Sequence, residues 1–139
     1  MNKVIGYVST RHLAEMREED VRSLDVINIA FGHIVDGKTV WDHPDVKPAL
    51  ARIRSINPQL KIVLSVGGWS ADGFSQAAST KESRKLAADT AKEIVAEYGL
   101  DGIDIDWEYP GTSVAGIASS ADDKVNFTLF LAALREAMD

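Results

Sequence analysis

Asp101-Gly102-Ile103-Asp104-Ile105-Asp106-Trp107-Glu108-Tyr109-Pro110 decides how the rest of the chain is read. Within it, Gly102–Asp106 has the length and the isoleucine content of a short buried strand. Side chains alternate along a strand, so Asp104, Asp106 and Glu108 share one side and Ile103, Ile105 and Trp107 the other. Successive acids in such a row stand about 7 Å apart. The plain alternatives are a solvated loop or a structural ion-pair network. A central parallel strand has no solvated face, however, and the stretch contains no Lys or Arg. The row therefore reads as a site that manages protons. Like charges this close raise at least one pKa and keep one carboxyl protonated near neutral pH.

Working outward, three more short runs resemble buried strands: Lys3–Val8, Val26–Phe31 and Lys61–Val66. Helical patterns fill the gaps. After the second run, Asp36-Gly37-Lys38 marks a turn between His33-Ile34-Val35 and Thr39-Val40-Trp41. Val46, Leu50, Ile53 and Ile56 then recur at helical spacing until Asn57-Pro58 stops them. Ser79 and Glu82 read as a capping box for a helix with Leu86, Thr90, Ile94, Val95 and Tyr98 on one face, ended by Gly99. A last helix is expected from Ser120, with Asp122 and Asp123 facing its dipole and an apolar stripe of Phe127, Phe130, Leu131, Leu134 and Met138. Thr10 to Leu24 is only weakly helical.

Four βα units imply a parallel sheet, either doubly wound or part of a closed barrel. A doubly wound nucleotide fold wants a Gly-rich phosphate loop after its first strand, and Tyr7-Val8-Ser9-Thr10-Arg11 is not one. The expected class is α/β of the (β/α)8 TIM-barrel type. A complete barrel takes about 250 residues, so 139 residues are read as its N-terminal half, one partial catalytic domain over 1–139.

The chain is 45% apolar and 26% charged, ordinary for a globular domain. Its net charge of −6 argues against nucleic acid and anionic membranes as partners. With no cysteine, disulfides and thiolate metal sites are excluded. His12, His33 and His43 lack ligand spacing, so no metal and no cofactor is expected. The apolar run after Met1-Asn2-Lys3 is too short for a signal peptide, and no run approaches the roughly 20 residues of a spanning helix.

Asp101-x-x-Asp104-x-Asp106-x-Glu108 matches the DxxDxDxE signature of family 18 glycoside hydrolases, the chitinase family. Trp107, Tyr109 and Pro110 continue the match. Ser65-Val66-Gly67-Gly68 followed by Trp69 resembles the family's SxGG motif. Ile5-Gly6-Tyr7 and Asn28-Ile29-Ala30-Phe31 are similar to its first two strands. The resemblance covers nearly the whole chain, in order. It implies hydrolysis of β-1,4 bonds between N-acetylglucosamine units, with the substrate's own acetamido group as nucleophile. Glu108 would be the general acid and then base. Asp106 would orient the acetamido group, and Asp104 would share a proton with Asp106. Tyr7 and Ser65 would hydrogen-bond Asp104, Asp101 would tie the turn into the strand, and Gly67 and Gly68 would open the strand mouth. Trp69 and Tyr109 are the sugar-stacking candidates, Phe31 a pocket wall, and Trp41 either another platform or local packing.

The resemblance also implies chitin or N-acetylglucosamine oligosaccharides as partners and an extracellular or periplasmic parent protein. Alternatives are an endo-β-N-acetylglucosaminidase acting on N-glycans, a non-catalytic chitinase-like carbohydrate-binding protein, and a divalent-metal cluster on the acids. The family's later strands are not in the sequence. The expectation is a truncated piece with little activity alone, self-associating through open barrel edges or pairing with a C-terminal half.

Overall fold

The computed structural model describes residues 1–139. Four parallel strands lie side by side in chain order: β1 (Ile5–Ser9), β2 (Val26–Val35), β4 (Lys61–Gly67) and β5 (Gly102–Asp106). The short β3 (Lys38–Val40) folds back antiparallel on the end of β2. Between the strands run a 3-10 turn (Thr10–Glu15) and the helices α1 (Glu18–Ser23), α2 (Lys47–Ile56), α3 (Phe74–Ala78) and α4 (Lys81–Tyr98). α5 (Asp123–Met138) follows β5. No helix is long and apolar enough to cross a membrane.

Alternation along the strands sorts the two faces of the sheet. Ile27 and Ile29 of β2 and Ile62, Leu64 and Val66 of β4 are fully buried against the helices, together with Ile53, Phe74 and Phe130. The opposite face carries Tyr7, Asn28, Ser65, Asp104 and Asp106. Neighbouring strands lie about 4.8 Å apart, so a flat sheet would hold β1 about 14 Å from β5. Yet the Tyr7 phenol donates to the Asp104 carboxylate at 3.0 Å. The sheet is therefore rolled about its polar face, as in a barrel wall.

Several boundaries move. β1 begins at Ile5 rather than Lys3 and ends at Ser9. β2 runs on to Val35, because the hairpin at Asp36-Gly37 is built directly on its end, both turn residues having positive φ (51° and 77°). α3 was absent from the sequence reading; five residues give no period to detect. The capping box of α4 is not Ser79 with Glu82. Thr80 is the N-cap, and it and Ser83 each accept from the other's backbone N–H at 3.0 Å. Thr80→Ala should lower unfolding free energy by about 1 kcal/mol in urea titrations.

The buried stripe of α4 is Ala87, Ala88, Ala91, Ile94 and Tyr98. Small residues allow close packing against α5 and β3, and Leu86 is left 40% exposed. α5 starts at Asp123 rather than Ser120, and Leu131 on it is half exposed while Phe130 and Leu134 are buried.

Candidate active site

β4 and β5 set the acid row. Their parallel register puts Ser65 beside Asp104 and Gly67 beside Asp106. The Ser65 hydroxyl donates to Asp104 Oδ2 at 2.8 Å, on the same oxygen that receives the Tyr7 phenol. Asp104 is thus held by donors from β1 and β4. Glu108 lies two residues beyond the end of β5, with its carboxyl close to that of Asp106.

Burial pushes Asp106 up from the usual carboxylate range, and the charge and hydrogen bond of Glu108 and the charge of Asp104 push it further. The neighbouring Asn28 side chain pulls the Tyr7 phenol down. Burial, the Asp104 hydrogen bond and the charges of Asp104 and Asp106 outweigh that and raise it. Asp101 lies outside this group. Its Oδ2 accepts from the Ile62 N–H at 2.8 Å and from Arg54 at 2.8 Å, with Lys61 at 3.6 Å from Oδ1. Burial works against its ionised form, but these donors and cations hold Asp101 below the usual range. It fastens the start of β5 to β4.

The ends of β4 and β5 touch through backbone. Gly68 N–H donates to the Asp106 carbonyl at 2.9 Å. Gly67 has φ 127°, and a Cβ there would overlap the Asp106 carbonyl oxygen and lie 2.7 Å from its carbon. Gly68 has φ 99°, and a Cβ there would meet the Phe31 ring at 3.0 Å. Phe31, half buried, thereby lies on the Gly68 backbone beside the row. Trp69 and Tyr109 stand above it, 61% and 48% exposed, with ring centroids 6.3 Å apart and edge to face. Two exposed aromatic faces next to carboxylates suit a sugar, which offers apolar faces and hydroxyl edges.

Trp41 is not part of this rim. It is 4% exposed, donates to Thr10 Oγ1 at 3.1 Å and packs on Tyr98 at 4.7 Å, which settles it as local packing. Trp107 faces away from the acids as alternation requires, stacked on Phe74 and edge-on to Phe127. No group of three or more His, Cys, Asp or Glu is arranged to hold a metal ion. A cavity of about 600 Å³ lies between α4 and α5, away from the acids.

Two residues of the site region escaped the sequence reading. Asn28, 7% exposed on the inner face of β2, stands beside Tyr7 in the strand register and lowers its phenol's pKa. Its signal was present, as a lone amide inside the apolar run Val26–Phe31. Asp123 is wholly buried beneath the segment that follows Glu108, instead of solvating a helix end.

The family model described as glycosyl hydrolases family 18 matches residues 3–139. Chitinase A1 of Niallia circulans is 37% identical over 128 residues, covering 81% of this chain and 18% of that protein. Among solved structures, a family 18 N-acetylglucosaminidase from Paenibacillus barengoltzii superposes with a TM-score of 0.93 at 51% identity, over 98% of this chain and 40% of that one. The chitinase domain of the spore coat protein CotE from Clostridium difficile gives 0.90 at 38% identity, over 100% and 39%. The chain thus spans under half of the solved structures named here and 18% of Chitinase A1. What it spans is a rolled parallel wall, a partial TIM barrel, with the acid signature on its fourth parallel strand. On that match of sequence, order and fold, the chain belongs to glycosyl hydrolase family 18.

Proposed function

We propose that the protein carrying this chain hydrolyses β-1,4 bonds between N-acetylglucosamine units of chitin or chitooligosaccharides, and that residues 1–139 supply the acid-bearing part of its catalytic barrel. The observation that carries this reading is the row of Asp104, Asp106 and Glu108 on the polar face, braced by Tyr7 and Ser65, next to Trp69 and Tyr109.

In the proposed reaction, Glu108 gives its proton to the glycosidic oxygen as the bond to the anomeric carbon breaks. The acetamido oxygen of the same sugar attacks that carbon and forms a cyclic oxazolinium ion. Asp106 accepts from the acetamido N–H and stabilises the positive charge. Asp104, next to Asp106 in the row, adds its negative charge beside that cation. Tyr7 and Ser65, both bonded to Asp104, fix its place. Glu108, now a carboxylate, takes a proton from water, which opens the ring with net retention.

Two measurements test this. Early proton NMR spectra of the products should show the β-anomer first; an initial α-anomer would rule out retention. A fully deacetylated oligosaccharide should stay uncut, because it lacks the attacking oxygen, and its cleavage at the rate of the acetylated one would remove the substrate-assisted step.

A second reading keeps the chemistry and changes the substrate. The Paenibacillus barengoltzii protein, similar over 98% of this chain, is described as an N-acetylglucosaminidase. An endo-acting enzyme on the N-acetylglucosamine core of N-glycans fits the same acids. Release of sugar from a glycoprotein, with no cleavage of chitooligosaccharides, would favour it.

A further inference from the structure

Asp123 is fully buried at the first turn of α5, yet it is a carboxylate. Its Oδ1 accepts from the Ser75 hydroxyl of α3 at 2.7 Å, and Ser75 is itself buried. Its Oδ2 accepts from the backbone N–H of Gly111 and of Ser120, both at 2.9 Å. One side chain therefore ties together α3, the two ends of the loop after the acid row, and α5. Holding a helix start in water needs only an exposed Asp or Ser. A buried ionised group is retained at a cost, and the cost is offset here by three donors converging on it. Burial works against its charge, but these bonds win and hold its pKa below the usual range.

Gly111 lies three residues after Glu108. On the other side of Glu108, the Trp107 ring stacks on Phe74, the residue next to Ser75, with centroids 5.5 Å apart. Glu108 and Tyr109 thus hang between two anchors that both lead to α3. The loop has one more tie: Asp72 Oδ1 accepts from Gly73 N–H at 2.8 Å and from Ala118 N–H at 3.1 Å.

We infer that Asp123 is a positioning residue that sets the place of Glu108 against Asp106, and of Tyr109 against Trp69, through Gly111. The inference rests on the assignment of Glu108 as the proton donor. Moving a reacting group by about 1 Å costs on the order of 10²-fold in rate, so a tether three residues away has a large lever on turnover.

The test uses Asp123→Asn and the milder Ser75→Ala, with two readouts. The first is a carboxyl carbon NMR titration of Asp106 in the enzyme that carries the chain, which needs no substrate. With the tether weakened, Glu108 withdraws and the Asp106 midpoint falls toward the ordinary carboxylate range, further in Asp123→Asn than in Ser75→Ala. The second is steady-state hydrolysis of a chitooligosaccharide by the enzyme that carries the chain, well below its melting temperature. There kcat should fall about 10- to 100-fold in Asp123→Asn with KM within about twofold. A lower melting temperature with an unmoved Asp106 midpoint would overturn the inference and leave Asp123 a purely structural residue. If Asp123→Asn does not fold, Ser75→Ala decides by the same titration. Should the midpoint move while wild-type enzyme cleaves no such sugar, the tether stands and the proposed hydrolysis falls.

Discussion

Glu108→Gln should reduce hydrolysis of chitooligosaccharides by about 10²–10⁴-fold, the contribution of a positioned proton donor, and leave oligosaccharide affinity nearly unchanged. Gln keeps the size of the side chain and can still hydrogen-bond Asp106, but has no proton to give to a leaving oxygen. Trp69 and Tyr109 are untouched, so calorimetric binding should persist. Unchanged hydrolysis would take Glu108 out of the acid role; lost binding with lost turnover would point to collapse of the site.

The same variant changes pH behaviour in a stated direction. Asp106 is raised by burial first, then by the charge and hydrogen bond of Glu108. Removing that charge lowers it toward the ordinary range. In the wild type the folded chain holds this proton to higher pH than the unfolded chain does. The associated stability is full in acid and is lost as pH rises through the folded midpoint. Urea titrations across that window should show a shallower loss in Glu108→Gln.

Gly67→Ala is expected to have the largest effect on the fold, a destabilisation of about 3–5 kcal/mol from positive-φ strain and overlap together. A Cβ at Gly67 would sit on the Asp106 carbonyl, a backbone group held between strands that cannot swing aside, and 3.2 Å from the Phe74 ring. The contrast is Gly102→Ala on the same pair of strands, where a Cβ meets nothing within 4 Å. Chemical unfolding of the two variants side by side checks this. Equal stability of Gly67→Ala and Gly102→Ala would mean that the β4 and β5 ends are free to separate, and the close approach at Asp106 would lose its significance.

How far the sequence could be read depended on the reach of each signal. Strand alternation is a local rule, so the common face of Asp104 and Asp106 was legible from five residues of β5. The family motifs gave the barrel class because their order is tied to the order of strands. The cap of α4 is one residue later than the pattern places it, because Ser79-x-x-Glu82 fits the S/T-x-x-E/Q spacing while the actual partner of Thr80 is Ser83, a residue that pattern does not name. Leu86 looked like core by periodicity, but the face that α4 buries runs through Ala87, Ala88 and Ala91 and leaves Leu86 to one side, so tertiary packing overrode the pattern. Asp123 was read as a dipole partner because nothing in 120–123 announces that Ser75 and Gly111, 48 and 12 residues away in sequence, will converge on it.

The strands stand in the order in which they are made, each parallel strand docking on the one before it. A polypeptide leaving the ribosome therefore offers every new strand a finished template, and domains assemble from the N-terminus during synthesis. Among these four parallel strands the acids come on the last, β5, and the Tyr7–Asp104 bond spans 97 residues of sequence. Tyr7 and Ser65, the donors that brace Asp104, are therefore made before the carboxylate they hold.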